Sequence, residues 1–347
     1  MGLASQDTIN HLKALIDQVD EPLIRTFKNV HQGYVVENLE RFLKAREGNV
    51  TKAYKMLVDS LQWRLQNGID DILAASAFTQ SPTLKFKPIL PANFYRGVRD
   101  SQLIGLSGYT REGLPVFAIG AGLSTFDKAS IHYYVQSHIQ INEYRDRVIL
   151  PEATKKNGRY IGKCVKVLDM SGLKLSALNQ IKLLTTISTV DDLNYPEKTI
   201  TYYIVNVPYV FSACWKVVKP LLQERTKLKV RVLQGGGRDE LLKIMDYSSL
   251  PHFCRREGSG SGSRSGSGSG VGDDCYSLDH PFHQELYSYM KQLSGIHEPI
   301  EPAKQGSVHV EVPDEGEELH RTLESELMKL RTRKSLSGSL DKVKISD

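Results

Sequence analysis

Apolar side chains recur at helical spacing through residues 9–61. The stripes are Ile9, Leu12, Ile16 and Val19, then Leu39, Phe42 and Leu43, then Ala53, Met56, Leu57 and Leu61. Residues three and four apart share one face of an α-helix, so this pattern predicts a helical N-terminal region. Asn49 stands just before the third stripe, and its side chain is a predicted helix N-cap.

After residue 99 the pattern changes to short apolar runs separated by helical stretches. The runs are Gln102–Tyr109, Pro115–Ile119, Cys164–Met170, Ile200–Val205 and Val230–Leu233, and the helical stretches cover residues 127–147, 175–189, 209–224 and 238–245. Strands that alternate with helices are typical of α/β architecture. The sequence therefore predicts a helical region followed by an α/β domain.

A Gly/Ser-rich segment marks the end of this domain. Residues 258–270 contain six Gly and six Ser, a composition that behaves as a flexible coil. We expect the packed core to end near Glu257 and the tail to have no fixed position. The predicted units are a helical region over 1–78, an α/β domain over 79–257, a linker over 258–272 and a tail over 273–347. Two tail segments predict short helices, residues 279–293 and the stripe of Leu319, Leu323, Leu327 and Leu330.

Charge is distributed unevenly along the 347 residues. Residues 1–257 carry 35 basic and 25 acidic side chains, whereas residues 258–347 carry 10 and 15. A basic body favours an anionic partner, either membrane lipid or nucleic acid, although an ordinary soluble surface is the alternative. The N-terminus shows no signal-peptide pattern, and the four cysteines follow neither disulfide-framework nor zinc-ribbon spacing. These features indicate a reducing, cytoplasmic location.

The sequence contains no recognisable catalytic motif. It has no GxSxG elbow, no HExxH helix and no Walker loop, so we predict neither an enzyme nor a bound cofactor. His132 and His138 are six residues apart and miss the i, i+4 spacing of a helical metal pair, so no metal site is predicted. Basic residues interleaved with aromatic ones are also missing, which argues against a nucleic-acid partner.

Residues 209–222 form the most distinctive amphipathic stripe. Phe211, Trp215, Val218 and Leu222 fall at i, i+4, i+7 and i+11, and Lys216 and Lys219 lie beside them. An apolar face with basic flanks suits a helix at a membrane surface. Pro220 lacks an amide donor and should loosen the last turn, so the helix is a candidate lid. The alternative is a core helix whose lysines face water.

Basic residues also alternate near the last predicted strand. Lys227, Lys229 and Arg231 would share one face of an extended segment and dock an anionic bilayer, at about 1 kcal/mol for each base. An edge strand protected by charge explains the same pattern. In the tail, residues 331–335 resemble a basophilic kinase site, which makes Ser335 a candidate for phosphorylation.

Seven short sequence blocks occur in a fixed order. They are residues 39–46 (LERFLKAR), 63–64 (WR), 113–116 (GLPV), 167–172 (VLDMSG), 195–198 (YPEK), 206–208 (NVP) and 219–221 (KPL). The blocks resemble those of CRAL-TRIO lipid-binding proteins, in particular the plant cytosolic branch of secretory-pathway phosphatidylinositol transfer proteins. The resemblance implies a helical CRAL-TRIO-N region, an α/β CRAL-TRIO domain with an apolar lipid cavity, and a gate helix that aligns with residues 209–222.

The resemblance also implies residues for the lipid head group. Family members that bind phosphoinositides have an Arg after the Trp, a Glu after Tyr-Pro and a Lys before a Glu-Leu-Leu helix. Arg64 and Glu197 match the first two, while Asp239 aligns with the third and Arg238 precedes it. We therefore expect Arg64, Glu197 and Arg238 to hold an anionic head group. A structural salt bridge is the alternative role of the first two.

Family members that also hold phosphatidylcholine carry hydroxyl residues where this chain has Cys164 and Lys166. By strand alternation Cys164, Lys166 and Leu168 share one face, so Lys166 is expected to point into the cavity. A buried ammonium needs an anion, and a lipid phosphate would supply one. This arrangement favours an anionic lipid over a choline lipid. The alternative is that Lys166 reaches a polar edge of the domain.

These features predict a cytoplasmic, peripheral membrane protein that takes up one phospholipid and transfers or presents it. The expected partners are phosphatidylinositol or a phosphoinositide, an anionic membrane surface and, as a downstream candidate, a lipid kinase. Phe211, Trp215 and Val218 are expected to contact acyl chains or bilayer. Two alternatives stay open: a phosphoinositide sensor or adaptor that transfers nothing, and a carrier of a non-phospholipid hydrophobic ligand.

Overall fold

The computed structural model describes residues 5–73, 92–255 and 274–294. Its N-terminal part consists of the helices α1 (Gln6–Ile16), α2 (Glu21–His31), α3 (Val35–Ala45) and α4 (Val50–Asn67). Their apolar stripes pack against one another in a separate cluster that includes Leu12, Leu39 and Leu57. The Asn49 side chain accepts a hydrogen bond from the Lys52 amide at 2.9 Å. The predicted helical region and its cap are confirmed.

A five-stranded mixed sheet forms the centre of the described α/β part. The strands are β1 (Ile104–Tyr109), β2 (Pro115–Ile119), β3 (Cys164–Asp169), β4 (Thr199–Val205) and β5 (Val230–Val232). They lie side by side in this order, with β1 and β2 antiparallel and the other neighbours parallel. All five strands lie in or next to the predicted apolar runs. The structure thus confirms a helical region followed by an α/β domain.

Different helices cover the two faces of the sheet. One side carries α5 (Ala92–Ser101), α6 (Ile131–Tyr144), α8 (Ile181–Asn194) and α9 (Phe211–Val218). The opposite side packs on α11 (Arg238–Leu241) and on the residues around Phe253. Two further helices lie in the connections between these elements: α7 (Leu150–Asn157) precedes β3, and α10 (Glu224–Lys227) precedes β5.

Several helix boundaries differ from those predicted. The stretch 127–147 begins as α6 only at Ile131, and after Tyr144 it continues as a π-helical turn over Arg145–Ile149. The stretch 209–224 is one α-helix only from Phe211 to Val218, and it continues as a 3-10 turn over Lys219–Leu221. The turn contains Pro220, which lacks the amide donor that a continuing α-helix needs. The stretch 238–245 stops at Leu241.

The segment after the Gly/Ser-rich stretch packs against the domain, contrary to our expectation that the core ends near Glu257. Cys275 and Tyr276 join the cluster on one sheet face, while Phe282, Leu286 and Met290 of α12 (Pro281–Ser294) join the cluster on the other. Residues 274–294 therefore wrap around the edge strand β1. Apolar side chains at i, i+4 and i+8 give α12 a face that is buried only by this contact.

Gly105 in β1 allows this segment to pass close to the strand. A Cβ atom at this position would lie 1.8 Å from the carbonyl oxygen of Cys275. We expect Gly105→Ala to push residues 274–294 off the edge and to lower the free energy of unfolding by about 1–3 kcal/mol, as overpacking does.

Urea denaturation measures this effect, and Gly97→Ala is the matched control. A Cβ at Gly97 would meet only Lys128 Cβ at 3.7 Å, and alanine favours the helical conformation there. Equal denaturation midpoints for Gly105→Ala and the unaltered protein would show that the close approach of Cys275 to Gly105 does not affect stability.

Candidate functional site

An apolar cavity of about 330 Å³ lies between the sheet and the helices α8 and α9. Its floor includes Ile119 of β2, Leu168 of β3 and Ile204 of β4, and its walls include Leu184 and Ile187 of α8. The floor residues point to the same face because strand side chains alternate. A wider cleft of about 680 Å³ lies near α3 and residues 160–163, but charged side chains form much of its lining.

Helix α9 closes one side of this cavity with the stripe read from the sequence. Phe211, Trp215, Val218 and Leu222 all line the cavity. The rings of Phe211 and Trp215 stack with their centroids 5.7 Å apart. Cys214 and Val217 are buried in a small cluster with Leu178 and Ile181. Cys214 and Val217 are the two buried residues of this eight-residue helix.

Lys216 of α9 and Lys219, which directly follows the helix, do not line the cavity. Lys216 and Lys219 are both exposed, and Tyr209, just before the helix, is almost fully exposed. The other predicted docking residues are not equivalent to one another. Arg231 is exposed in β5, whereas Lys227 ends α10 and its ammonium contacts Glu224 at 2.6 Å. The predicted alternation fails at Lys227 because that residue is helical.

Lys166 forms part of the polar end of the cavity. It is 9% exposed, and its Nζ lies 3.4 Å from Asp191 Oδ2. Burial alone would lower the pKa of Lys166, but the Asp191 carboxylate together with Tyr202 and Cys164 outweighs it, so the pKa is raised and the side chain is charged. Asp191 also contacts His138 Nε2 and accepts a hydrogen bond from Asn142, both at 2.7 Å. A buried ion pair thus lies at one end of a mainly apolar cavity.

Glu197 lies outside the apolar cavity and pairs with a lysine. Its side chain is 5% exposed, and Oε2 lies 2.9 Å from Nζ of Lys229. The base expected beside it from the sequence was Arg238, whose guanidinium lies 5.6 Å from the ring centre of Tyr247. Lys229, which the sequence suggested as a docking residue, occupies that place instead. The two partners are 32 residues apart, so no local pattern could pair them.

Arg64 belongs to a buried ion-pair network between α4 and α6. Its guanidinium donates to Glu143 at 2.8 and 2.9 Å and to Asp70 at 2.9 and 2.7 Å. Glu143 also accepts from the Tyr195 hydroxyl at 2.6 Å and pairs with Arg147. Burial opposes ionisation of Glu143, but Arg64 and Arg147 lower its pKa to about 2. The carboxylate therefore stays charged well into the acid range.

The structure thus divides the predicted site residues between several places. Lys166, Phe211, Trp215 and Val218 meet at the cavity, whereas Arg64, Glu197, Arg238 and Cys164 do not line it. Cys164 is fully buried beneath the sheet face, with Sγ 3.8 Å from Thr199 Oγ1. Ser335, the leucine stripe at residues 319–330 and the linker lie outside the described residues.

Two features of the described ranges bear on broad function classes. None of the helices within 5–73, 92–255 and 274–294 is long and apolar enough to cross a bilayer. Over the same ranges, no three His, Cys, Asp or Glu side chains group together in a way that could bind a metal ion.

Comparison with known families and proteins agrees with this architecture. The family model for the CRAL/TRIO domain matches residues 99–254, and that for the CRAL/TRIO N-terminal domain matches residues 8–59. The crystal structure of Sfh5 superposes with a TM-score of 0.51 at 16% identity, covering 85% of this chain and 100% of that chain. At this identity the match supports the fold alone.

Two named relatives show the closeness of the sequence match. The phosphatidylinositol/phosphatidylcholine transfer protein SFH12 of Arabidopsis thaliana is 30% identical over 220 residues, which are 61% of this chain and 38% of that protein. The SEC14 cytosolic factor of Eremothecium gossypii is 26% identical over 215 residues, 61% of this chain and 66% of that protein. The chain therefore spans about two fifths of the length of the first Arabidopsis relatives that it matches.

The two family matches together cover more than half of the chain and include the helical region, the sheet and the cavity. They confirm the resemblance carried by the seven sequence blocks. The chain therefore belongs to the CRAL/TRIO family, with the family's N-terminal domain over residues 8–59 and its CRAL/TRIO domain over residues 99–254.

Proposed function

We propose that this protein takes one phospholipid from a membrane into the apolar cavity and transfers or presents it, without catalysing a reaction. The observation that carries the proposal is the apolar cavity closed on one side by α9. The names of the relatives, phosphatidylinositol/phosphatidylcholine transfer proteins, support the ligand class. Phosphatidylinositol or a phosphoinositide is the proposed cargo.

The cavity removes the main barrier to lipid movement through water. Each exposed CH₂ of an acyl chain costs about 0.8 kcal/mol, so spontaneous exchange between membranes is slow. The observed volume, about 330 Å³, is at the lower end of the range for ligand sites and is smaller than a two-chain phospholipid. Loading therefore requires α9 to move outward. Its small buried contact and the 3-10 turn at Pro220 suit α9 to act as a gate.

The proposed head-group contacts combine the cavity with the neighbouring charged residues. Lys166 would face a lipid phosphate at the polar end, and the Glu197–Lys229 pair would contact polyol hydroxyls and phosphate. Arg64 would support this region through Glu143 and Tyr195, or contact the head group directly once the gate opens. A lipid kinase that accepts the presented head group is the proposed downstream partner.

The exposed bases beside the gate would dock the protein on an anionic bilayer in the cytoplasm. Each base near such a surface contributes about 1 kcal/mol. We expect Lys216→Glu with Lys219→Glu to slow transfer of labelled phosphatidylinositol between anionic vesicles at least tenfold, because two attractive charges become repulsive. Lys55→Glu is the control, since Lys55 is exposed on α4 in the N-terminal helical region.

The same vesicle-to-vesicle assay tests the function itself. Transport of labelled phosphatidylinositol by the unaltered protein supports transfer. Vesicle binding without transport would instead favour a phosphoinositide sensor or adaptor. A non-phospholipid ligand in the organic extract of the purified protein would favour a carrier of another hydrophobic compound.

A further inference from the structure

A small polar chamber adjoins the apolar cavity. It has a volume of about 20 Å³, room for one water-sized group, and charged side chains form most of its lining. Five residues line both the chamber and the cavity, namely Lys166, Asp191, Asp192, Tyr202 and Thr226. The chamber and the cavity therefore share part of their wall.

Basic side chains outnumber acidic ones around this chamber. The bases are Arg145, Lys166, Lys198, Arg225 and Lys229, and the acids are Asp191, Asp192 and Glu197. Asp146, just outside the lining, pairs with both Arg145 and Lys198 and still leaves one base in excess. The chamber is thus electropositive.

Arg145 supplies a donor that no described side chain or backbone group accepts. The residue is 2% exposed; its Nε donates to Asp146 at 2.7 Å and its Nη1 to Asn142 Oδ1 at 2.8 Å. Its Nη2 is buried and has no hydrogen-bond partner among the described residues. A buried donor left unpaired is unfavourable, so an anionic oxygen that accepts a hydrogen bond from it would be stabilised there.

The backbone at Arg145 is also unusual. Helix α6 changes into the π-helical turn at this residue. Such turns are rare and occur frequently at functional sites. Arg145 both begins this turn and lines the chamber. The turn therefore supports a functional role for Nη2 of Arg145.

We propose that Arg145 and Lys166 form an inner phosphate subsite that selects an anionic phospholipid over a zwitterionic choline lipid. This inference rests on the proposed function and deepens it. One phosphate oxygen enters the chamber between the two side chains, and the rest of the phosphate stays at the polar end of the cavity. The acyl chains occupy the apolar part. In a choline lipid, the trimethylammonium group is joined to this phosphate through a two-carbon link. The surplus positive charge of the chamber would repel that group, so choline lipids are disfavoured.

A competition experiment tests this selectivity. The protein is incubated with vesicles that contain equal amounts of phosphatidylcholine and phosphatidic acid, isolated by gel filtration and extracted, and both lipids are quantified by mass spectrometry. We expect the anionic lipid to be favoured at least tenfold. Lys166→Met should reduce that preference about ten- to a hundredfold while total lipid per protein is retained, because one charge-assisted contact is lost.

Two further variants keep the test decisive. Arg145→Lys keeps the charge but removes the Nη2 donor, and we expect a partial loss of preference. Lys174→Met is the matched control, because Lys174 is exposed and does not line the chamber. Melting temperatures identify any variant that fails to fold. An unchanged lipid ratio in a folded Lys166→Met protein would overturn the subsite.

The outcomes separate the subsite from the proposed function. Uptake of both lipids without preference contradicts only the subsite, whereas uptake of neither lipid contradicts the proposed function itself. Calorimetric titration with inorganic phosphate distinguishes a lipid phosphate from a soluble one. Phosphate binding that Lys166→Met abolishes, without any preference for anionic lipid, would assign the subsite to a soluble phosphate and overturn the lipid assignment.

Discussion

Arg64→Ala is expected to lower the free energy of unfolding by about 3–5 kcal/mol, the range for breaking a buried ion pair from one side. Arg64 is 5% exposed and donates four hydrogen bonds to two carboxylates. Its removal leaves Glu143 buried, with Arg147 and Tyr195 as its remaining charged or polar partners among the described residues. The cost arises mainly from the poorly compensated carboxylate.

Chemical denaturation with a double-variant comparison measures this effect. Arg64→Ala with Glu143→Gln should be less destabilised than the sum of the two single variants, because the uncompensated charge is gone. Lys55→Ala is the control; it breaks an exposed pair with Asp59 and should cost less than about 1 kcal/mol. A loss below about 1 kcal/mol for Arg64→Ala would show that the ion-pair network contributes little to the stability of the fold.

The same variant separates two roles of Arg64 in lipid binding. If its guanidinium contacts the head group, Arg64→Ala should reduce phosphatidylinositol loading of the protein that stays folded. Unchanged loading per folded molecule would leave Arg64 with a structural role alone.

Ser188→Trp is expected to reduce lipid loading at least tenfold while leaving stability unchanged or slightly higher. Ser188 lies on α8 and lines the apolar cavity. An indole at this position fills space that acyl chains would occupy, and filling a void does not cause the strain of overpacking a full core. Loading is measured by extraction after incubation with phosphatidylinositol vesicles.

Thr186→Trp is the matched control for this cavity variant. Thr186 lies on the same helix but is not part of the cavity wall. It should therefore load lipid as the unaltered protein does. Equal loading by Ser188→Trp and Thr186→Trp would place the lipid somewhere other than in this cavity.

Features that depend on local periodicity were predictable from the sequence. The run from Pro115 to Ile119 is strand β2, and the stripe of Phe211, Trp215 and Val218 faces the cavity. Strand alternation also put Lys166 and Leu168 on one face, as the cavity lining shows. Such features depend on side-chain direction within one element, which the spacing of apolar residues determines.

Contacts between distant segments were not predictable in the same way. Arg64 and Glu143 are 79 residues apart, and nothing near either one identifies the other. The wrap of residues 274–294 around β1 was missed because the Gly/Ser-rich stretch before it suggested a detached tail, while the burial of α12 depends on a surface formed by other elements. Both features depend on packing between distant elements, and the spacing of apolar residues within one element does not predict such packing.

The most direct test is the lipid content of the purified protein after exposure to phosphatidylinositol vesicles. Native mass spectrometry should show one two-chain phospholipid bound to each chain, and the adduct should be absent from Ser188→Trp. A correctly folded protein that carries no lipid under these conditions, or that carries it equally well when the cavity is filled, would contradict the proposal.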